Sequence, residues 1–324
     1  MNFNFSNSCR ISLDFSQMTS MRGHPQAYSF TYGHRNRRRD SYSTFVLPVH
    51  SLSHLDLPWS PDGAINSSEL DIYPQVFKTI ILDFTAKQEK IQPYIVKDPS
   101  DILYSSMSQI DLRPFKNGED FLILIKDLTI EASEIIDRLR GLPSSLDLSD
   151  YFILIRTDWS FKFNRFSYSL NNPSFEGISA FLCHPFMSYQ SALELKNFGI
   201  RYFGHDLPSL ENPLYFADAI DVHPIVQQAR ELIRTQNEHF DDRVFDGYFL
   251  KVEAVKKGKL PCYYLKNLNF RETDKSFQNA AGRARRMNED IFGDLLLLPL
   301  PILRDPLGVA CEAYFRPALT QNSD

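Results

Sequence analysis

The chain has 324 residues, of which 43% are hydrophobic and 23% are charged, and this composition excludes a wholly disordered or collagen-like protein. Its formal net charge is -5, so the chain lacks an overall positive field of the kind that binds nucleic acid. No segment approaches the roughly 18 apolar residues that span a bilayer, and residues 1–10 lack a signal-peptide pattern, so we expect a cytoplasmic protein with reduced cysteines and no membrane partner.

Short apolar runs bounded by polar or turn residues predict buried strands. These runs are residues 78–84, 121–125, 151–156, 200–203, 262–265 and 295–303. Helical patterns lie between them at residues 129–140, at 188–198 and from Pro224 onward, where proline suits a first helical turn. Residues 32–42, which include four arginines, and residues 161–172 lack a clear period and predict loops. The alternation of strands and helices predicts a mixed α/β fold.

Two histidines and an aspartate lie within seven positions of one short segment. His50, His54 and Asp56 supply the imidazole and carboxylate ligands that a borderline divalent ion such as zinc or manganese takes. Because these ligand types stand together shortly before Pro58, the pattern favours a metal site. The alternative is that both histidines are ordinary, partly buried strand residues and that Asp56 caps a turn.

The spacing of the three residues also restricts the backbone of this segment. In a helix, His50 and His54 share a face but Asp56 does not, and Pro58 disfavours a helix. In a regular strand, the two histidines stand about 13 Å apart at ~3.3 Å per residue, which is too far for one ion. A metal site therefore requires a turn between residues 51 and 53, followed by a short extended segment that contains His54 and Asp56.

The same segment resembles a family signature. Residues 50–60 resemble the His-x-Gly-Thr-His-x-Asp-x-Pro-x-His motif of the metal-dependent cyclase family, which includes bacterial kynurenine formamidases and isatin hydrolases. Residues 152–159 resemble the family's strand that ends in Arg-Thr-Gly-Trp, and residues 199–209 resemble its Gly-Ile-Asp-Thr-Pro-Ser stretch. Residues 298–303 resemble its closing Leu-Pro-Leu strand. The matches occur in the family's order and extend over roughly residues 10–318.

This resemblance implies an architecture and a kind of partner. It implies one compact α/β domain over residues 1–324, with a mixed β-sheet, a barrel-like core of the swivelling β/β/α kind and flanking helices. Insertions relative to the family lie near residues 32–42, 161–185 and 225–260. The resemblance further implies a homo-oligomer, a dimer or tetramer, and a small-molecule substrate. The 26 phenylalanines and 15 tyrosines are consistent with an aromatic substrate, although most residues of these types belong to a protein's core.

The resemblance also implies a set of metal ligands. It assigns His50, His54 and Asp56 to one divalent ion, zinc or manganese, and His223 matches by position a histidine of the second metal site that some members have. The glutamate of that second site corresponds to Lys266, whose ammonium cannot ligate a cation while it is protonated. We therefore expect one ion rather than two. The Lys266 ammonium then either occupies the place and charge of the second ion or is a surface lysine left after the second site decayed.

A second departure from the signature concerns proton transfer. Ser60 stands where the family has a histidine that donates or shuttles protons, and a serine hydroxyl is a poor acid near neutral pH. If the chain catalyses hydrolysis, another group must protonate the leaving atom, and His205, His34 and His184 are candidates. The candidate catalytic residues are therefore Ser60, His205 and Lys266.

Three functions are compatible with these residues. The first is a hydrolase that attacks an amide, formamide, lactam or lactone carbonyl with metal-activated water, as the resemblance implies. The second keeps the metal as a Lewis acid but catalyses a cyclisation or dehydration in a specialised-metabolite pathway. The third is a catalytically silent relative that binds a ligand in the same pocket. Product mass separates the first two functions, because only hydrolysis adds water, and metal content separates the third.

Overall fold

The structure of the chain is a computed structural model, which describes about three fifths of the residues. The described residues are 3–12, 28–33, 41–46, 53–56, 59–60, 63–64, 74–97, 108–142, 146–159, 177–179, 183–207, 210, 212, 214, 223–236, 263–266, 268–270, 272–286, 289–304 and 308–318.

Strands account for most of the regular structure in these ranges. They are β1 (Cys9–Arg10), β2 (Tyr28–Gly33), β3 (Ser41–Val46), β4 (His54–Asp56), β5 (Trp59–Ser60), β6 (Gly63–Ala64), β7 (Gln75–Asp83), β8 (Ile95–Lys97), β9 (Ser108–Asp111), β10 (Thr129–Ile130), β11 (Tyr151–Arg156), β12 (Gly177–Ser179), β13 (Phe186–Met187), β14 (Tyr202–His205), β15 (Tyr263–Lys266), β16 (Ile291–Arg304) and β17 (Gly308–Pro317). The α-helices are α1 (Thr85–Glu89), α2 (Gly118–Asp127), α3 (Ala132–Arg140), α4 (Tyr189–Asn197), α5 (Pro224–Gln236) and α6 (Thr273–Ala281), and two 3-10 turns are Gln92–Tyr94 and Leu148–Asp150.

Seven of the strands close into a barrel. Around the barrel the order is β17, β16, β7, β11, β14, β15 and β4, and β4 then pairs with β17. Strands β7, β11, β14 and β15 run parallel, whereas β16, β17 and β4 join the ring by antiparallel pairs. Closure pairs each strand of the ring on both sides. The short strand β4 is therefore held between β15 and β17.

Both faces of the barrel wall are buried in apolar contacts. On β11, Phe152 and Leu154 point into an interior cluster, which also contains Phe315 of β17. Ile153 and Ile155 point outward into a second cluster that the helices cover. A strand covered on both faces is apolar at successive positions rather than at alternate ones. This explains why β11 reads as an unbroken apolar run in the sequence.

Helices α2 to α5 supply the cover on the outer face. Helix α3 buries Ile135, Ile136 and Leu139, whose three- and four-residue spacing places them on one face of the helix. The start of α2 is capped by Asn117, whose Oδ1 accepts the backbone N–H of Asp120 at 3.0 Å. Helix α6 instead packs at the barrel interior through its buried phenylalanine. The outward-facing side chains of β14 and β15, such as Phe203 and Tyr264, thus lie in the same apolar cluster as the helices.

Most of the predicted elements are confirmed. The predicted strands at 78–84, 151–156, 200–203, 262–265 and 295–303 correspond to β7, β11, β14, β15 and β16, and the predicted helices at 129–140, at 188–198 and from Pro224 correspond to α3, α4 and α5. The mixed α/β class with a barrel-like core and flanking helices is also confirmed. The strand predicted at 121–125 is wrong, because these residues lie inside α2.

The two predicted loops are only partly described. Residues 32–33 and 41–42 lie in strands β2 and β3, which pair with each other, so the ends of the first predicted loop are strand rather than loop. Residues 34–40, with the four arginines, and residues 161–172 lie outside the described part of the chain.

Candidate active site

Five polar side chains lie on the outer face of the barrel, where β4, β15 and β14 are neighbours. His54 and Asp56 stand two positions apart on β4, and Tyr264 and Lys266 stand two positions apart on β15. Residues two apart on a strand share a face, and the buried leucine between each pair points into the barrel interior. Lys266 is opposite His54 in the ladder, and Tyr264 is opposite Asp56. With His205 at the end of β14, these residues form the polar cluster.

The Asp56 carboxylate is the anion of the polar cluster. Its Oδ2 lies 2.6 Å from Nζ of Lys266, and its Oδ1 lies 3.0 Å from Nε2 of His54. Burial alone would raise the pKa of Asp56, but the Lys266 ammonium and the His54 imidazole hold that pKa well below its usual range. The carboxylate is therefore ionised at neutral pH although all three side chains are buried.

His205 is the neutral imidazole of the polar cluster. Its Nδ1 accepts the backbone N–H of Leu207 at 3.1 Å, which places the ring proton on Nε2. Nε2 lies 2.8 Å from Oη of Tyr264. Burial, together with the nearby Lys266 ammonium, holds the pKa of His205 well below its ordinary value. His205 therefore stays uncharged at neutral pH and donates its proton toward the Tyr264 oxygen.

Lys266 connects the two halves of the polar cluster. Besides its contact with Asp56, the ammonium lies 4.8 Å from the centroid of the Tyr264 ring. A cation within about 6 Å of an aromatic ring is attracted by the ring's electrons. The single positive charge of Lys266 thus stands between the Asp56 carboxylate and the hydrogen-bonded pair of Tyr264 and His205.

A buried carboxyl group lies beside the cluster at the carboxyl ends of β11 and β14. The Asp206 oxygens accept the backbone N–H of Thr157 at 3.0 and 3.1 Å, and Oδ1 accepts the Thr157 hydroxyl at 2.8 Å. Burial, with a contribution from Asp158, raises the pKa of Asp206 to about 7. Asp206 was not among the residues predicted from the sequence, where it stands as one acidic residue of the 199–209 stretch.

His184 is a second buried imidazole near the same strand ends. Its Nδ1 lies 2.7 Å from the carbonyl oxygen of Pro185, and its ring meets Trp159 edge-on with centroids 5.7 Å apart. Burial lowers the pKa of His184 to about 4. Nδ1 therefore donates to the carbonyl oxygen, and the ring is neutral at pH 7.

The structure brings some of the predicted site residues together. His54, Asp56, Lys266 and His205 all belong to the polar cluster. The expectation of an extended segment at His54 and Asp56 is confirmed, because these residues form β4. The alternative of a surface lysine is wrong, because Lys266 is buried and paired with Asp56.

The other predicted site residues lie elsewhere or outside the described part of the chain. His50 and His34 fall outside it, and Ser60 lies in β5 with a side chain that also falls outside it. His223 precedes α5, where its Nδ1 accepts the backbone N–H of Ile225 at 3.3 Å. The contacts of the described residues thus show His223 at a helix start and do not join it to the polar cluster.

Tyr264 is the member of the polar cluster that sequence reasoning missed. The available signal was its position in the predicted strand 262–265, two residues before Lys266, because side chains two apart in an extended segment share a face. Nothing in the sequence shows its contact with His205, which is 59 positions away along the chain. That contact depends on the parallel pairing of β14 with β15.

The donor atoms of the polar cluster fit one metal ion better than two. The 3.0 Å between Nε2 of His54 and Oδ1 of Asp56 suits two ligands of one ion, because each can then lie about 2.0–2.2 Å from it. A second ion at Oδ2 does not fit, because the Lys266 ammonium lies 2.6 Å from that oxygen. No group of three potential ligands of this kind occurs among the described residues, so a third ligand such as His50 must come from outside them.

Comparisons with known proteins give matches only at the level of solved structures. No family model matches the chain, and no curated protein matches it. A structure of a novel cyclase matches with a TM-score of 0.49 at 11% identity, over 95% of this chain and 88% of that chain. Isatin hydrolase A from Labrenzia aggregata matches with a TM-score of 0.46 at 13% identity, over 96% of this chain and 94% of that one.

A third solved structure is a predicted metal-dependent hydrolase from Bacillus stearothermophilus. It matches with a TM-score of 0.43 at 13% identity, over 95% of this chain and 97% of that chain. The helices that the structure describes include none that is long and apolar enough to cross a membrane.

Proposed function

We propose that the chain is a hydrolase or cyclase for small carbonyl compounds, with one divalent metal ion beside the Lys266 ammonium. The observation that carries this proposal is that the two Asp56 oxygens have different partners: Oδ1 faces His54 and Oδ2 contacts Lys266. The resemblance of residues 50–60 to the metal-dependent cyclase signature supports it independently.

The residues that would hold the ion are His54 and Asp56, with His50 as the third ligand. Zinc or manganese in such a site polarises a carbonyl and lowers the pKa of a bound water to about 7. The Lys266 ammonium neutralises one oxygen of Asp56, so the carboxylate can remain ionised in a buried site. It also gives the site a fixed positive charge, which stabilises negative charge that develops on a carbonyl oxygen.

We propose an amide, formamide, lactam or lactone as the substrate, and an aromatic group on it fits the aromatic surroundings. The polar cluster lies beside the outer apolar cluster, which includes Phe203 next to Tyr264 with ring centroids 6.5 Å apart. Burial excludes bulk water and strengthens the electrostatic contacts of the site. A carbonyl compound that binds at the polar cluster would therefore be largely shielded from bulk water.

Metal stoichiometry tests the one-ion arrangement. Wild-type protein, dialysed against zinc or manganese and analysed by elemental mass spectrometry, should hold one ion per chain. Asp56→Asn should hold none, because it removes the carboxylate ligand. Asp127→Asn, at an exposed position of α2, is the matched control and should hold one. A wild-type chain with two ions, or with none in excess metal, would overturn the proposal.

Product mass tests the reaction. The metal-loaded wild type is incubated with an arylformamide, a lactam, a lactone and a linear precursor that can cyclise. A product heavier by one water identifies a hydrolase, whereas an isomer or a product lighter by one water identifies a cyclase or dehydratase. Metal binding without any product would contradict the enzymatic proposal and favour a ligand-binding protein.

A further inference from the structure

Cleavage of a carbon–nitrogen bond needs an acid that protonates the leaving atom, and the two buried histidines predicted as candidates, His184 and His205, are unsuited to this task. His184 is neutral and its Nδ1 proton is directed at the carbonyl oxygen of Pro185. His205 is also neutral, and its one ring proton is directed at Oη of Tyr264. A neutral imidazole that gives up its proton becomes an anion, which is unfavourable beside the ionised Asp56 carboxylate.

Tyr264 has the hydrogen-bonding arrangement that an acid requires. Its oxygen accepts the Nε2–H of His205 at 2.8 Å, so the phenol's own proton must be directed to a different atom. The Lys266 ammonium lies 4.8 Å from the ring centroid. A hydrogen-bond donor and a cation therefore both lie beside the side chain on which negative charge develops when Tyr264 releases its proton.

The sheet also places Tyr264 beside the proposed metal ligands. Tyr264 is opposite Asp56 in the β15–β4 ladder, and the two side chains leave the sheet on the same face. Opposite residues of an antiparallel pair have Cβ atoms about 4.5–5.5 Å apart. Tyr264 therefore lies on the same face of the sheet as the position proposed for the substrate carbonyl beside Asp56.

We propose that Tyr264 is the catalytic acid of this site and that His205 is the residue that positions it. The inference rests on the proposed hydrolase function. The carbonyl carbon forms a bond to the oxygen of a water molecule, and its bond to the leaving nitrogen or oxygen breaks. The leaving atom keeps the electron pair of that bond and takes the phenol proton of Tyr264. The proton that the water loses returns to the phenolate, so one water is consumed and the enzyme is regenerated.

Leaving-group dependence in metal-loaded protein tests this role. An anilide must be protonated as it leaves, whereas a nitrophenyl ester releases a stable anion without an acid. Tyr264→Phe should lower kcat/KM for a formanilide at least about a hundredfold, within the range for general acid catalysis. It should lower kcat/KM for a nitrophenyl ester less than about tenfold, because that reaction lacks the proton-transfer step. Tyr202→Phe, on β14 but facing the barrel interior, is the matched control and should leave both values unchanged.

A second measurement does not depend on activity. In ¹⁵N-labelled full-length protein, His205 should show a proton on Nε2 that exchanges slowly, identified by its absence from His205→Gln. Exchange of that proton should accelerate in Tyr264→Phe, which lacks the acceptor oxygen, and remain slow in Tyr202→Phe.

Three results would overturn the assignment of Tyr264. The first is an equal loss of kcat/KM on the anilide and the ester in Tyr264→Phe, which indicates a structural role. The second is a His205 proton found on Nδ1. The third is a wild type that binds one ion but converts neither substrate, which would overturn the proposed hydrolase function as well. The first two results leave the hydrolase function intact, so the two failures are distinguishable.

Discussion

The contact between Asp56 and Lys266 determines the charge of the candidate site. An ionised carboxylate in a buried position is costly unless a cation and hydrogen-bond donors compensate for the lost water. Asp56 has the Lys266 ammonium 2.6 Å from one oxygen and the His54 imidazole 3.0 Å from the other. The Asp56 carboxylate can therefore stay ionised in the folded chain only while these partners remain in place.

Removal of the ammonium alone should destabilise the protein strongly. We expect Lys266→Met to lower the free energy of unfolding by about 3–5 kcal/mol, because Asp56 is left as a buried charge without its main partner. Urea unfolding of metal-free protein measures this change. The double variant with Asp56→Asn should recover part of the loss, because it removes the uncompensated carboxylate as well.

An exposed pair on the same barrel provides the control. Lys78 lies 3.1 Å from Asp294, but its side chain is 67% exposed. Lys78→Met should therefore cost less than about 1 kcal/mol. Equal effects of Lys78→Met and Lys266→Met would show that Asp56 is solvated or protonated in the folded chain.

At the residue scale, the sequence predicts the proposed metal ligands better than it predicts the side chains that contact one another around them. The spacing of His54 and Asp56, with the family signature around them, places both side chains on one short strand, as the structure confirms. The contact of Tyr264 with His205 is not predictable in this way, because it joins two strands that are distant in the sequence. The sequence shows directly which side chains can bind a metal. A contact between side chains on two strands can be predicted only when the register of the strand pair is known.

At the element scale, the error at residues 121–125 has a specific physical cause. Five consecutive apolar residues satisfy a buried strand and a buried helix equally well, because so short a run shows no period. In α2 the middle residue of the run, Ile123, is 61% exposed while its neighbours are buried, which is a helical pattern. The cap at Asn117 was the sequence signal that distinguishes the two structures.

The ends of β11 and β14 are tied by a contact that should respond to pH. Thr157 follows β11 and donates to both oxygens of Asp206, which follows β14. The pKa of Asp206 is raised from 3.8 to about 7. Between these values the folded chain keeps a proton that the unfolded chain has lost, so the contribution of Asp206 to stability falls as pH rises and levels off above about 7.

Substitution of this carboxyl group isolates its contribution. We expect the free energy of unfolding of the wild type, minus that of Asp206→Asn, to fall by about 2–3 kcal/mol from pH 5 to pH 8, at about 1.4 kcal/mol per pKa unit. Urea unfolding at both pH values measures it. The same difference for Asp127→Asn, at an exposed position of α2, should stay flat. A difference that rises with pH would mean that the hydrogen bonds from Thr157 outweigh the effect of burial.

At the scale of the whole molecule, closure of the barrel is the feature that the sequence predicts least directly. The resemblance implied a barrel-like core, but the residues themselves do not show which strands meet. Strand β4 pairs with β17 through His54 and Ala310, which are far apart in the chain. The pairing of β4 with β15 brings His54 and Asp56 to Lys266, and the pairing with β17 holds the other edge of β4. The site therefore lies where the barrel closes, although its proposed ligands come from one short motif.

A buried arginine holds one end of the closed barrel. The Arg156 guanidinium binds Asp158 through Nε at 2.7 Å and Asp274 of α6 through Nη1 at 2.7 Å and Nη2 at 2.9 Å. Arg285 also binds Asp274, at 2.6 Å, and contacts Asp83 at the end of β7. These contacts join the ends of β7 and β11 to α6 and the residues that follow it, because Arg156 is 118 positions from Asp274 and Asp83 is 202 positions from Arg285 along the chain.

Loss of the guanidinium should loosen this end of the barrel. We expect Arg156→Met to lower the free energy of unfolding by about 2–4 kcal/mol, because two carboxylates lose a charged partner that is itself buried. Arg156→Lys should have a free energy of unfolding between those of the wild type and Arg156→Met. Its ammonium keeps the positive charge but cannot bind two carboxylates with paired hydrogen bonds. Urea unfolding gives the free energies, and hydrogen exchange in α6 reports whether the loss is local to that end.

Arg113 is the matched control, because it binds Asp111 through two nitrogens but is 68% exposed. Arg113→Met should cost less than about 1 kcal/mol, since water screens an exposed pair and replaces its hydrogen bonds. If Arg156→Met cost no more than this control and left exchange in α6 unchanged, the guanidinium would not hold the barrel end. The apolar contacts of α6, through Phe277 in the interior cluster, would then suffice to keep the barrel closed.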